Sequence, residues 1–252
     1  MIEFVKQVSK IAEIIQMKGH PICVKYCNKT EEELYELCKE KKQLLCQSIQ
    51  DTRYGEKILV TAESNQCRGG SYFVGLLPYN NNLLHFWTNI EKTHQNKSAC
   101  INFIEELEPI PDKVGDAITL IPAQECTEEP DLVLFVCQPD SLAKLLGIYN
   151  YAMGKEGKIL TYTAACSAAI GVPMGKNDLH VSFIDNSARY LAEFAKDELI
   201  VTVPYSQIER IYKAIDLCIW GGADAPYKSI EKRMKGTWTL KNEEEDDGSR
   251  NN

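Results

Sequence analysis

The stretch from Leu132 to Tyr149 constrains the fold more than any other. Leu132-Val133-Leu134-Phe135-Val136-Cys137 is an unbroken strand-forming run that leads into Pro139-Asp140, a helix start. Beyond it, Leu142, Leu145, Leu146 and Tyr149 recur at helical spacing on one face. Strands alternating with helices of this kind make the fold class α/β: a single domain with a mixed sheet flanked by helices.

The rest of the chain repeats that alternation. Val5, Val8, Ile11, Ala12 and Ile15 share one face of an opening helix over residues 1–17, stopped by Gly19. Pro21 to Tyr26 reads as a strand, and Thr30-Glu31-Glu32-Glu33 is a capping-box pattern for a second helix running through Leu34, Leu37 and Cys38. A third helix holds Leu44, Leu45, Cys46 and Ile49 and ends near Tyr54-Gly55; the strand from Lys57 to Ala62 then delivers the chain to Cys67. After the Asn80-Asn81-Asn82 turn, the short apolar run Leu83 to Trp87 reads as a strand, and Cys100, Phe103, Ile104 and Leu107 suit a helix that Pro109 and Pro111 terminate. Further strands are expected at Ala117–Ile121, Lys158–Thr163, Leu179–Ile184 and Leu199–Val203. Ser206 and Glu209 form a capping-box pattern for a last helix with Ile208, Ile211, Ile215, Cys218 and Ile219 on one stripe. The small-residue segment Ala164 to Pro173 is suited to pack closely against another backbone or a cofactor. No repeat of fixed period and no Pro/Gly/Ser-rich linker divides the chain, so residues 1–240 are expected to form one domain. The acidic polar stretch 241–252 is expected to be a disordered tail, because it cannot bury enough surface to order itself.

Charge and composition limit the partners. A formal charge of −8 and a pI near 5.2 give no electrostatic footprint for nucleic acid, and no basic run marks a membrane-surface patch. No uninterrupted apolar run reaches the length of a membrane span, and the N-terminus lacks a signal-peptide core, so a cytoplasmic location is expected. Ten cysteines fall far below the density of a secreted disulfide scaffold. In a reducing compartment such a surplus points to metal or redox chemistry, or to a lineage that seldom meets oxygen.

Many familiar signatures are absent: no Walker phosphate loop, no dinucleotide glycine fingerprint, no Gly-x-Ser-x-Gly elbow, no His-Glu-x-x-His pair and no Cys-x-x-Cys pair. The four histidines lack ligand spacing. Cys23 and Cys27 lie on one strand, about 13 Å apart at its rise per residue, whereas two thiolates on one zinc ion lie within about 5 Å. Cys38, Cys100 and Cys218 fall on apolar stripes and read as core. Cys67, Cys166, Cys46 and Cys137 fall at element ends instead. Cys67 is distinctive, since Cys67-Arg68-Gly69-Gly70 opens a short helix and helix-start amides favour a thiolate. Read plainly it is a buried small residue at a tight turn; read chemically it holds a metal or reacts.

Over most of residues 18–217 the chain resembles the uncharacterised domain of unknown function 169 family, found largely in archaea and anaerobic bacteria. The residues that carry the resemblance are Pro21-Ile22-Cys23-Val24-Lys25, Cys46-Gln47-Ser48-Ile49, Cys67-Arg68-Gly69-Gly70 with Gly75-Leu76, Pro130 to Phe135 with Pro139, Ala165-Cys166-Ser167, and Arg189 with Asp197-Glu198-Leu199 and Pro204. The resemblance implies cysteine ligands at Cys46, Cys67 and Cys166 and often a fourth in a Cys-x-Gly-x-Arg motif. Here that motif reads Asp185-Asn186-Ser187-Ala188-Arg189, so Asp185 stands where the fourth thiol would be. This departure implies either three thiolates with a carboxylate or open iron position, which favours substrate binding over simple electron transfer, or loss of the site.

The leading expectation is a protein of anaerobic metabolism that binds an iron–sulfur cluster of the 4Fe–4S type through Cys46, Cys67 and Cys166, with Asp185 or Cys137 as fourth ligand and a small molecule or a redox protein as partner. The oligomeric state stays open, a homo-oligomer included. One rival is a metal-free binding module with packed cysteines and a pocket near Gly69-Gly70 and Ala164-Ala165. Another is a thiol enzyme in which Cys67 or Cys166 is activated by Arg68 or a helix start. Asp185, Arg189, Asp197 and Glu198 form either a polar site or surface charges around a turn.

Overall fold

Apolar runs separated by amphipathic segments build one mixed sheet with helices on both faces. The computed structural model describes residues 3–28, 36–78, 82–107, 114–155, 158–161, 164–221 and 235. The strands are β1 (Ile22–Cys27), β2 (Lys39–Glu40), β3 (Ile58–Thr61), β4 (Ala117–Pro122), β5 (Leu132–Cys137), β6 (Lys158–Thr161), β7 (His180–Phe183) and β8 (Leu199–Pro204). The helices are α1 (Glu3–Ile14), α2 (Leu45–Arg53), α3 (Arg68–Phe73), α4 (Asn82–His85), α5 (Lys97–Leu107), α6 (Pro139–Met153), α7 (Ala165–Lys176), α8 (Asn186–Ala192) and α9 (Tyr205–Ala214).

The sheet runs β2-β3-β4-β1-β5-β8-β7-β6, an order that reads the same outward from its centre when β1 to β4 are matched with β5 to β8. The pairings repeat with it: β2–β3 and β6–β7 are parallel, and β3–β4, β7–β8, β4–β1 and β8–β5 antiparallel. Even the registers coincide. Ile22 faces Pro122 as Leu132 faces Pro204, Thr61 faces Ala117 as Phe183 faces Leu199, and Lys39 faces Ile58 as Lys158 faces His180. At the centre Cys23 faces Val133, with Ile22 opposite Leu134 and Val24 opposite Leu132, so an approximate two-fold axis passes through the Cys23–Val133 pair. The sequence shows no repeat; the structure contains one, carried by strand register rather than by residue identity.

The side chains of β1, β4, β5 and β8 are buried throughout apart from Lys25. On one face α1, α6 and α9 cover a core that includes Val8, Ile11, Phe135, Leu145, Val201 and Ile208. On the other, α2, α7 and α8 cover Ile22, Val24, Ile118, Leu134 and Ile200. A third cluster, with Phe73, Trp87, Cys100 and Ile104, packs outside α7 through Ala168 and Val172. Helix α7 is thus buried all round, which is why its segment carries no amphipathic signal.

Three expectations change. Leu83 to Trp87 is helical, α4 passing into a π turn at Phe86–Ile90; Leu83, Leu84 and Trp87 share a helix face that packs against Phe73 and Cys100. Helix α9 starts one residue before Ser206, after Pro204, with no side-chain cap, and the Ser206 hydroxyl lies 3.2 Å from Asn177 Oδ1. It ends at Ala214, so Cys218 lies beyond a 3-10 turn, although it is buried as expected. The Thr30–Glu33 capping box, Pro109, Pro111 and the 241–252 tail lie outside the described residues. Among the described residues no helix is long and apolar enough to cross a membrane.

Candidate metal centre

The two-fold arrangement brings four of the sequence-selected residues together in two matched pairs. Cys46 is the second residue of α2, the helix joining β2 to β3, and Cys166 is the second residue of α7, the helix joining β6 to β7. Cys67 caps α3 between β3 and β4, its sulfur accepting from Gly70 N at 3.2 Å. Asp185 caps α8 between β7 and β8, its carboxylate accepting from Ala188 N at 2.8 Å. Asp185 therefore occupies in the second half the position that Cys67 occupies in the first. The other oxygen of Asp185 accepts from Ala165 N, the first residue of α7, at 3.3 Å, which ties the cap of one helix to the start of another.

The surroundings hold this geometry. Gln47 accepts from Leu44 N at 3.0 Å and donates to the Leu191 carbonyl at 3.1 Å, while Gln50 donates to the Ala192 carbonyl at 3.0 Å, fixing α2 to the end of α8. Arg53, at the end of α2, is fully buried and pairs with Glu198 at 2.6 Å. Arg189 donates to the carbonyls of Ile184 at 3.0 Å and Glu198 at 2.9 Å and also to that of Ala195. Arg189 and Glu198 are thus a structural brace, and Asp197 accepts from Gln138; Asp185 is the member of that polar group whose charge acts on Cys46, Cys67 and Cys166. Gly171 sets the approach of α7 to α3: a Cβ there would lie 2.9 Å from the Phe73 carbonyl carbon and closer still to its oxygen. Ala164, just before α7, adopts a left-handed backbone at φ +56°, a conformation that costs energy in a residue with a Cβ and that here sets the direction in which α7 leaves.

Electrostatics reflect the crowding of acids in a buried place. The Cys46 and Cys166 thiols are in hydrogen-bonding contact, so the ionisation of one acts on the other. The anion is favoured at Cys46, where the Cys166 thiol and the amides of Gln47 and Cys46 itself donate, and its pKa falls despite burial. Cys166 is pushed well up by that same contact, by burial, and by the negative charges of Cys46, Asp185 and Cys67. Cys67 is pushed up to about 11, first by burial, against the help of the Gly70 amide, with Cys46, Glu91 and Asp185 adding to the rise. Glu91, just past the π turn, is raised by burial and by Asp185. Each of these acids is made harder to ionise by burial and by its neighbours, and a cation placed among them would favour their anions.

Cys137, the other fourth-ligand candidate, is placed elsewhere. It lies in the core of the opposite face, its surroundings set by Arg53 and Glu198, and it does not join Cys46, Cys67 and Cys166. Glu91 is the acid that sequence reasoning missed; it sits outside any motif and reaches the site only through the π turn. The space beside Gly69 and Gly70 is filled by Trp87 and by the Cys67 side chain, 2.9 and 3.0 Å from where a Cβ would stand. Arg68 turns away, to the Ala62 carbonyl at 3.3 Å. An open depression of about 450 Å³ lies elsewhere, lined by Lys6, Lys10, Glu13, Tyr212 and Asp216 among others.

A family model for DUF169, described as uncharacterised ArCR, matches residues 10–214. The chain belongs to the DUF169 family. No curated protein and no solved structure matches it. In this DUF169 member the matched region contains both halves of the sheet and all four residues of the site.

Among the described residues no three His, Cys, Asp or Glu side chains stand ready around one metal. Cys46, Cys67, Cys166 and Asp185 come from four separate elements, and thiolates and carboxylates are donor types that iron accepts.

Proposed function

We propose that this DUF169 protein binds an iron–sulfur cluster, of the 4Fe–4S type, through Cys46, Cys67, Cys166 and Asp185. What supports this reading is that equivalent elements of the two matched half-sheets carry Cys46 and Cys166, which are in hydrogen-bonding contact, and Cys67 and Asp185, whose charges act on that pair. Cluster thiolates need hydrogen-bond donors and shielding from water, and the first-turn amides of α2, the Gly70 amide and the packing of α3 on α7 supply both. When bound, the cluster would supply electron transfer or a Lewis-acidic iron. Cys46, Cys67 and Cys166 would hold it as thiolates, and Asp185 would supply an oxygen donor, the more easily exchanged ligand type. The role this supports is redox or cluster-dependent chemistry, with a small molecule as the partner.

The thiol-enzyme reading has less support, because Cys67 and Cys166 are both pushed up and so are protonated near neutral pH. Anaerobic purification tests the proposal. The wild-type protein and a Cys100→Ala control should be brown with broad sulfur-to-iron absorption, and Cys67→Ala should lose it. Asp185→Cys should keep the colour but lose spectral shifts on adding cyanide, used as a probe of the exchangeable corner. Colourless wild-type protein after reconstitution with iron and sulfide would overturn the reading.

A further inference from the structure

The turn that carries Cys67 is built around a buried carboxamide. Asn65 Oδ1 accepts from Cys67 N at 3.0 Å, the local bond in which an asparagine side chain takes the amide two residues on. Its Nδ2 donates to Ser71 Oγ inside α3, also at 3.0 Å. Asn65 and Ser71 are both almost fully buried, so water has little access to either bond. The turn needs an acceptor on one side and a donor on the other, and a carboxamide supplies both in one group.

The same turn is tied to the strand before it and to the segment that opens α2. Asn65 N donates to the Thr61 carbonyl at 3.0 Å, and Ser64 Oγ accepts from Thr61 N at 2.9 Å. Gln43 forms a parallel bridge opposite Asn65: its N donates to the Ser64 carbonyl at 3.2 Å, and its carbonyl accepts from Gln66 N at 3.0 Å. The Gln43 side chain then donates to Ser48 Oγ and Asp51 Oδ2 on α2, each at 3.1 Å. Cys46 lies three residues beyond Gln43, and Cys67 two beyond Asn65. One bridged pair thereby fixes both thiol-bearing segments. In the second half the corresponding tie is made by Asp185 itself, whose Oδ2 accepts from Ala165 N at 3.3 Å.

We propose that Asn65 is a positioning residue for Cys67, holding its turn against the start of α2 so that Cys67 and Cys46 are fixed relative to one another before any metal arrives. With Cys67 N and Ser71 Oγ both engaged, the Cys67 sulfur is kept at the Gly70 amide, which donates to it at 3.2 Å. Loss of the carboxamide leaves a buried N–H and a buried hydroxyl without these partners and releases the turn. The consequence for iron rests on the cluster reading above, whereas the clamp is a property of the metal-free protein.

Reduced, metal-free full-length protein is treated with iodoacetamide over a pH series, and each cysteine is followed by peptide mass spectrometry. In Asn65→Ala, Cys67 should react about tenfold faster than in the wild type, the equivalent of one lost buried hydrogen bond, while Cys137 on the other face of the sheet keeps its rate. Asn65→Asp retains an oxygen for Cys67 N and should restore slow alkylation, with the profile moved to higher pH because its charge opposes the Cys67 thiolate. In anaerobic reconstitution Asn65→Ala should bind iron about 10–100-fold more weakly. Cys67 alkylated at the wild-type rate in Asn65→Ala would overturn the inference, as would equal acceleration of every cysteine in folded protein. Should Asn65→Ala fail to fold, Ser71→Ala removes one of the two bonds and should still speed Cys67 selectively; an unchanged rate there overturns the inference as well. A wild type that binds no iron removes the cluster and leaves the alkylation profile to decide the clamp.

Discussion

Replacing Gly171 with alanine probes how α7 and α3 bring Cys166 and Cys67 together. The added Cβ would sit 2.9 Å from the Phe73 carbonyl carbon and nearer its oxygen, and Val74 Cα would be 3.6 Å away. Backbone carbons and oxygens meet comfortably at about 3.3–3.6 Å, so clearing the carbonyl oxygen requires the two helices to part by more than about an ångström. Phe73 cannot rotate out of the way, because the obstacle is backbone at the end of α3, and α7 is buried on every side. Overpacking of this kind costs about 1–3 kcal/mol. For a chain of this size that lowers Tm by about 2–10 °C. Thermal unfolding of the metal-free protein reads the cost directly. Cluster content after anaerobic reconstitution reads the second consequence, since a shift of α7 carries Cys166 away from Cys67 and should lower the yield more than the Tm loss explains. A variant with unchanged Tm and full cluster content would refute the close approach as the device that assembles the site.

Other outcomes rest on the same structure. Glu198→Ala leaves the Arg53 guanidinium buried without its carboxylate and should destabilise by about 3–5 kcal/mol, measured by denaturant titration. Cys166→Ala removes the strongest influence lowering Cys46, so the pH profile of Cys46 alkylation in metal-free protein should move to higher pH. His180 is held down at about 4, first by burial and then by Lys176, so its neutral form belongs to the fold. The unfolded chain then binds the extra proton between about pH 6.5 and 4, and stability present above that window is lost as pH falls through it, by up to about 3 kcal/mol; His180→Gln should flatten the pH dependence of Tm there. Asp185→Ala removes the cap of α8 and the acceptor of Ala165 N, costing about 0.5–2 kcal/mol in thermal unfolding without metal.

Much of the fold was legible because its elements carry their own patterns. Helices α1, α2, α5, α6 and α9 announce themselves by apolar spacing, and the central strands by continuous apolar runs. What was not legible depends on tertiary context. Helix α7 has no polar face, contains Gly171 and Pro173, and is a helix because both of its sides are buried. Leu83 to Trp87 is short enough to serve either period, and packing against Phe73 decided for the helix. The two-fold order was invisible because the halves share register but few residues: β1 and β5 both end in cysteine, and β4 and β8 both end in proline, yet loop lengths differ between them. Cys46, Cys67 and Cys166 could be picked out because they fall at element ends and coincide with the positions that the family resemblance implies. Cys137 fell at an element end as well, but nothing in its local pattern says which face of the sheet it joins, and the structure puts it on the other one.

The most direct measurement is the iron and acid-labile sulfide bound per chain after anaerobic reconstitution and desalting, in the wild type and in single variants. Equal amounts of iron and sulfide, lost in Cys46→Ser, Cys67→Ala and Cys166→Ser and retained in Cys137→Ala and Cys218→Ala, is the predicted result. Wild-type protein that binds neither, or binds them as well without Cys67 and Cys166 as with them, would contradict a cluster at this site.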